Sequence, residues 1–552
     1  MKTVITSVFL LMSSFVFSQI PTFNWVKQLT YPGFGSVTGI NYMTTDAVGN
    51  AYIVGDIQGT VDINPGTGVM NVTSAGSSDI FIEKISPAGT LVWAKTIGGT
   101  GQDFPNYVEL DSAGNLYITG AFQSTVDFNP GSGTTNLTSA GSGDIFLLKL
   151  DNSGNYVFSR RFGGTGNENG AVLKRDVNGN IYLSGSFYSP SISFSGHTIN
   201  FLGNFDSFLV KLDPAGTATW AKAFWAETND MVLDDTANIY ITGQFFGSNV
   251  DLDPGAGTYY MSATGGSSDK DFFILKLNTN GDFMWVKNDG SSNYNDAGTG
   301  IAIDSQGNVI SSMDKNNAAV ELDKWSPGGT YTYLNMGGDV LGTSSFHSSK
   351  LIIDAADNIL LSGVISGGID WNFNQGSLFG FSDVYVEKFT NAGSPITGYQ
   401  IVIGSSLVER FKAFSVDFHG GIYVIGSFQG TVDFNYSTSA INNLTSIGSD
   451  DIFILKLAQP TLGEENMLNL KPEGIWGQPN PFSTSLTLQL GDISKLASVE
   501  IYDVDGKLMY QNKNAIPSNS LHINTEAWKA GIYFVNSINT NGAHFSSKFI
   551  KE

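Results

Sequence analysis

Residues Gly49–Lys95 read GNAYIVGDIQGTVDINPGTGVMNVTSAGSSDIFIEKISPAGTLVWAK, and Gly114–Arg160 read GNLYITGAFQSTVDFNPGSGTTNLTSAGSGDIFLLKLDNSGNYVFSR. The two are one unit written twice. Further copies begin around Gly179, Ala237, Gly307, Asp357 and Gly420. Their equivalent residues are Tyr52, Tyr117, Tyr182, Tyr240, Ile310, Leu360 and Tyr423, and the fifth copy is eroded. Repetition at a near-constant period signals a solenoid, propeller or array.

Each copy carries four strand signals. In the second they are YVELD, LYITGAF, DIFLLKL and YVFSRRF. Asp-x-x-Gly-Asn turns join the first to the second and DNSGN joins the third to the fourth, residues suited to tight hairpins. The third strands (DIFIEKI, DIFLLKL, DSFLVKL, DFFILKL, DVYVEKF, DIFILKL) are nearly continuously apolar. A strand apolar on both faces must be covered on both faces. A lone sheet cannot do that, but a propeller blade is sandwiched by its neighbours. Seven four-stranded units predict an all-β chain with a seven-bladed β-propeller at 19–457. The last unit stops after its third strand, while FNWVK at Phe23–Lys27 matches the fourth strands LVWAK and FMWVK. Residues 23–29 are therefore expected to complete the seventh blade.

Composition agrees. The chain has 552 residues, too many for one ordinary domain, with Lys+Arg 28 against Asp+Glu 50 and a net charge of -22. So acidic a chain is a poor nucleic-acid binder. Gly is 65 and Pro 16, which suits a turn-rich β protein and excludes collagen. With no Cys, disulfides and thiolate chemistry are excluded.

Residues 1–18, MKTVITSVFLLMSSFVFS, have a signal peptide's form: Lys2, an apolar stretch, and small residues before a cut between Ser18 and Gln19. That stretch is short for a membrane span and no other segment approaches one. Export is expected.

The marks D-x-x-G-N-[IL]-Y-[ILV]-[TSV]-G, S-x-D-x-F-[IL]-x-K-[LI] and G-x-x-x-W-[AV]-K resemble the bacterial seven-bladed, NHL-like β-propeller repeat family. That family is defined by fold and implies no activity. Residues 458–477 read as a linker. Residues 478–552 read as a small β-sandwich that opens on Pro479-Asn480-Pro481 and closes with strands holding Gly531, Tyr533, Lys548 and Lys551. They resemble the type A C-terminal sorting domain of the type IX secretion system of Bacteroidetes. The resemblance implies recognition by the outer-membrane translocon, a sortase-like peptidase as a second partner, and a place on the outer-membrane surface or outside the cell.

Function is less legible. Long connections between second and third strands share a face with the links between blades, so that face and the channel mouth are the expected binding side. Trp225, Asn229 and His347 break the repeat there and are the candidate ligand residues. Within the long loops, oxygen-bearing residues alternate in pairs: Asp62 and Asn64, Asp127 and Asn129, Asp251 and Asp253. Degenerate copies hold Asp433 and Asn435, and Asp370 and Asn372. Oxygens at that spacing fit either hairpin-tip chemistry or Ca²⁺, the one cofactor considered. The Asp opening each third strand is read as a repeated backbone hydrogen bond.

Enzyme readings fare poorly. There are four Arg, no sialidase-type box, and no G-x-S-x-G, H-E-x-x-H or P-loop. The expectation is a surface or secreted propeller that binds glycan or another surface protein, or has a structural role in the envelope. The alternative is a carbohydrate-active lyase or hydrolase on the same scaffold.

Overall fold

Each Asp-x-x-Gly-Asn turn is built by its own side chains. Asp46 Oδ1 accepts the N–H groups of Val48 (3.2 Å) and Asn50 (2.8 Å). Asp111, Asp176, Asp234, Asp304, Asp354 and Asp417 do the same in the other six copies. The turn's fourth residue needs a left-handed backbone, the natural place for glycine. Gly49, Gly114, Gly179, Gly307 and Gly420 sit there at φ between 79° and 85°, while Ala237 (59°) and Asp357 (62°) hold it without that freedom.

The computed structural model describes residues 20–29, 39–203, 206–265, 269–292, 295–315, 319–334, 345–354, 356–366, 381–417, 419–436, 440–447, 450–459, 475–478, 485–490, 496–503, 507–512, 520–529, 531–539 and 544–551. They contain no helix and divide into two units, 1–459 and 460–552. The expected signal peptide and the Ser18–Gln19 cut lie outside the described residues.

Among the described residues the larger unit holds seven four-stranded antiparallel sheets, each ordered first to fourth strand. The first strands are Ile40–Thr45, Phe104–Leu110, Glu168–Arg175, Glu227–Leu233, Asp296–Ile303, Ser345–Ile353 and Arg410–Val416. Each lies against the next, and the seventh returns to the first, so the sheets form a closed seven-bladed propeller. The closing strand is Thr22–Leu29, paired with Asp451–Ala458 from Thr22↔Ala458 to Leu29↔Ile452. It therefore begins one residue before the expected 23–29. Its Trp25 donates to the Pro87 carbonyl of blade 1 at 2.9 Å and locks the ring.

Packing explains the repeated letters. The third-strand lysine lies over the second-strand tyrosine in the same blade: Lys84 over Tyr52 (4.8 Å), Lys149 over Tyr117 (4.7 Å), Lys456 over Tyr423 (4.8 Å). Its ammonium also approaches the carboxylate of the first turn, Lys84–Asp46 and Lys149–Asp111 both at 3.9 Å. The Asp opening the third strand accepts a backbone N–H four residues back, from Ala75 to Asp79 at 2.8 Å and from Ala140 to Asp144 at 2.9 Å.

All seven first strands also carry a β-bulge at one level, at Asn41, Asn106, Ala171, Asn229, Thr299, Ser349 and Lys412. A bulge turns the strand and brings its backbone close to its partner. In six blades a second-strand glycine answers this, and in blade 5 the glycine is on the first strand, Gly298 opposite Met313. A Cβ on Gly120 would stand 2.1 Å from the Phe104 carbonyl oxygen, and one on Gly185 or Gly243 would stand 1.9 Å from the Asn169 or Glu227 oxygen.

The smaller unit has a three-stranded sheet (Ile475–Gln478, Ser485–Leu490, Ser520–Asn524) and a four-stranded one (Leu508–Asn512, Leu496–Asp503, Gly531–Asn539, His544–Lys551). Leu486, Leu488, Val499, Ile501, Ile523, Tyr533 and Val535 form its core. Residues 458–477 are not all linker. Ala458 ends the third strand of blade 7, and Ile475 pairs with Leu490 in a strand whose Ile-Trp opening the polar run before it obscured.

Candidate functional site: the central channel

A first strand alternates its side chains between the blade interior and the channel. In blade 2, Val108 is buried between blades while Tyr107 and Glu109 line the channel cavity. In blade 3, Leu173 is buried and Lys174 lines it.

These side chains converge from five blades. Tyr42 and Tyr107 stack with ring centroids 4.0 Å apart. The Lys350 ammonium lies 4.8 Å from the Tyr42 ring centroid, 5.7 Å from that of Tyr107, and 3.5 Å from Asp230 Oδ2. Lys174 donates to the Tyr107 hydroxyl at 2.5 Å and stands 3.9 Å from Glu109. Burial, with Tyr42 and the carboxylates of Glu109 and Asp230, pushes the Tyr107 phenol well above its ordinary range. Burial alone would lower the Lys350 ammonium. The Asp230 charge and Tyr42 outweigh it and hold the proton on.

The group borders a cavity of about 780 Å³ on the short-hairpin side. Thr44, Ser415, Glu109 and Lys174 give it a polar wall, and Val232, Ala302 and Ile352 an apolar one. The group also borders a cavity of about 180 Å³ at the bulge level. A third, of about 300 Å³, lies toward the long loops and includes Tyr188, Ser207 and Glu227. Of these three cavities among the described residues, the largest opens on the face opposite to the one the loop lengths favoured. Long loops fold back on themselves: those of blades 1, 2, 3, 4 and 7 form two-stranded hairpins, such as Thr60–Asp62 with Asn71–Thr73.

The expected ligand residues do not come together as one site. Asn229 is a bulge residue in the channel, and its Nδ2 donates to the Gly298 carbonyl at 2.8 Å. Trp225 packs over Gly203 and against the core of blades 3 and 4. His347 is in the first strand of blade 6, with its side chain outside the described residues.

The paired loop residues are hairpin-tip residues. Asp62 Oδ1 accepts from Asn64 N (3.1 Å) and Met70 N (2.8 Å), and Asn64 Oδ1 from Gly66 N (2.8 Å). Asp127 Oδ1 accepts from Asn129 N (3.1 Å) and Thr135 N (2.7 Å), and Asn129 Oδ1 from Gly131 N (2.9 Å). Asp251 Oδ1 accepts from Asp253 N (3.1 Å) and Tyr259 N (2.8 Å), and Asp253 Oδ1 from Gly255 N (2.7 Å). Asp433 also accepts from Asn435 N, while Asp370 and Asn372 lie outside the described residues.

The Ca²⁺ reading of Asp62, Asn64, Asp127, Asn129, Asp251 and Asp253 does not fit this geometry. No group of three or more His, Cys, Asp or Glu that could hold a metal occurs among the described residues. Each hairpin offers one Asp with a second Asp or Asn, and Oδ1 of each is already bonded to its own turn, against the 6–8 oxygens Ca²⁺ takes. Alternation along the chain placed the oxygens on one side, but the turn's own N–H groups use them first.

In the smaller unit, Gly531 pairs with Lys551, Tyr533 with Phe549 and Phe534 with Lys548, so four expected sorting residues share one strand pair. Tyr533 is buried, and its hydroxyl donates to the Lys529 carbonyl at 2.7 Å. Pro479, Asn480 and Pro481 lie outside the described residues. Residues 478–552 match the family described as the secretion system C-terminal sorting domain. The chain carries a type IX sorting domain. This domain marks the protein for export to the cell surface or extracellular space and implies contact with the type IX machinery. No described helix is long and apolar enough to cross a membrane.

The rest of the chain has distant relatives. An uncharacterized WD repeat-containing protein of Acanthamoeba polyphaga mimivirus is 24% identical over 312 residues, 51% of this chain and 20% of its own. The regulatory protein FlaEY of Caulobacter vibrioides is 24% identical over 208 residues, 37% of this chain and 21% of its own. The chain thus spans about a fifth of each relative. Among solved structures, the extracellular domain of a hybrid two-component system of B. thetaiotaomicron is similar at 10% identity and a TM-score of 0.22, covering 94% of this chain and 73% of that one.

Proposed function

We propose that this exported propeller is a binding module at the cell surface or outside the cell, and that its ligand seats in the central channel from the short-hairpin face. The observation that carries this is the cavity of about 780 Å³ with one polar wall, one apolar wall and a cationic, aromatic floor. Its size is that of small-molecule sites. A sugar ring, hydroxylated at its edge and apolar on its C–H faces, matches both walls; glycan is the ligand class we favour over a surface protein.

The lyase reading needs a tyrosine that ionises near neutral pH. Burial moves Tyr107 the other way, which favours binding over a lyase that works through this tyrosine. A glycan array probed with the full chain tests it. Binding is expected to be lost in Lys174→Ala and kept when the exposed hairpin-tip residues Tyr259 and Tyr260 are changed to Ser. The opposite pattern would move the site to the long-loop face.

A further inference from the structure

One position in the third strand breaks the apolar rule in three blades. Where blades 2, 3, 4 and 7 carry Leu148, Val210, Leu275 and Leu455, blades 1, 5 and 6 carry Glu83, Asp323 and Glu387. All three are at most 1% exposed. Each stands on the face toward the preceding blade: Glu83 pairs with Ile53, Asp323 with Ser311 and Glu387 with Leu361.

The seams around them are apolar. Ile53 packs on Ile425, Ile452 and Ile454 of blade 7, and Leu361 on Ile310 and Leu322 of blade 5. Blade 5 meets Tyr240, Phe272 and Ile274 of blade 4. Neither carboxylate oxygen of Glu83 has a hydrogen-bond partner, and Glu387 and Asp323 each leave one oxygen without one. Their other oxygens accept from Gln400 Nε2 (2.7 Å) and the Tyr331 hydroxyl (2.9 Å).

The charged groups nearby do not help ionisation. Asp62 is the one acting on Glu83. Glu321 and Asp289 oppose the Asp323 charge, and Lys315, which favours it, is itself paired with those two carboxylates. Glu387 lies near Tyr385, on which Asp314 also acts. An unpaired buried carboxylate takes up a proton rather than stay charged.

We propose that Glu83, Asp323 and Glu387 make three blade seams sensitive to pH, closed while the carboxyls hold their protons and loosened as they lose them. Burial pushes Asp323 and Glu387 up to about 7, and Glu83 well above the usual carboxylate range. Between the unfolded value of about 4 and those values, the folded chain holds protons the unfolded chain has lost. Stability is then fully present below about pH 4 and falls as pH rises through the folded values. This is opposite to an ordinary ion-paired carboxylate.

The test compares melting of the full chain with E83L/D323L/E387L and with E83Q/D323N/E387Q at pH 5, 6, 7 and 8.5. Salt at 0.5 M screens the surface charge. Leucine fits, since three other blades use it here. Both variants are expected to melt close to wild type at pH 5 and progressively above it toward pH 8.5. Hydrogen exchange in the wild-type third strands of blades 1, 5 and 6 is expected to speed up over the same range, beyond its intrinsic pH dependence. A melting difference constant from pH 5 to 8.5 in both variants would overturn the proposal.

Discussion

The third strands of blades 2 and 7, DIFLLKL and DIFILKL, differ at one position, while their first strands, FPNYVEL and RFKAFSV, share no residue at equivalent positions. Both belong to one repeat in one ring, so ancestry alone does not explain the contrast. A third strand is pressed between blades on both sides, and its seven residues meet nearly the same neighbours in every copy. A first strand owes half its side chains to the channel, where the repeat imposes nothing. Constancy therefore marks the frame of this molecule and divergence marks where it can act. Tyr42, Tyr107, Asp230 and Lys350 hold one level of the channel, and Val172, Gly300 and Ala413 complete it.

Changes to the frame should cost stability. The largest effect is expected from deleting residues 20–29. That would strip the outer strand from blade 7, with the Trp25–Pro87 bond and buried Leu29. We expect a loss on the order of 5 kcal/mol, from one buried leucine and several ladder hydrogen bonds; unchanged melting would sink the ring closure. Next comes Gly243→Val. Its side chain would collide with the Glu227 carbonyl, and a cost of about 3 kcal/mol or more in urea unfolding is expected, as for other strained core sites. Leu147→Ala in the third strand of blade 2 should cost about 3 kcal/mol by leaving a core cavity. The smallest effect runs the other way. Ala237→Gly should stabilise by about 1 kcal/mol, because alanine there holds φ 59°. A loss on that substitution would show that the turn is not strained.

Much of the frame was readable in the letters. Asp-x-x-Gly-Asn named its own hydrogen bonds, and the doubly apolar DIFLLKL required cover on both faces. The match of FNWVK to the fourth strands announced the closing partner. The glycine of YITG was visible as a repeat mark, but its cause, the bulge opposite, was not. A bulge is a register property of two strands, and neither strand spells it alone. The channel was less legible for a related reason. Residues that break the repeat led to two first strands, at Asn229 and His347, while the expected face followed the long loops, whose length suggested function. Those loops satisfy their own polar groups, as Asp62 and Asn64, Asp127 and Asn129, and Asp251 and Asp253 do. The informative departures lay in the first strands and at Glu83, Asp323 and Glu387, where a carboxylate stands in a column of leucines.

The central claim is that divergent first strands carry binding while constant third strands carry the fold. It is tested most directly by probing one glycan array with the full chain and with a Thr44→Ala/Lys174→Ala variant, with melting recorded on both. The account predicts that the array signal falls at least tenfold while the melting temperature moves by about 2 °C or less, since the variant gives up one hydrogen bond, Lys174 to Tyr107, worth about 1 kcal/mol, and that shifts the melting of so long a chain only slightly. An array signal that survives in a variant of unchanged stability would contradict it.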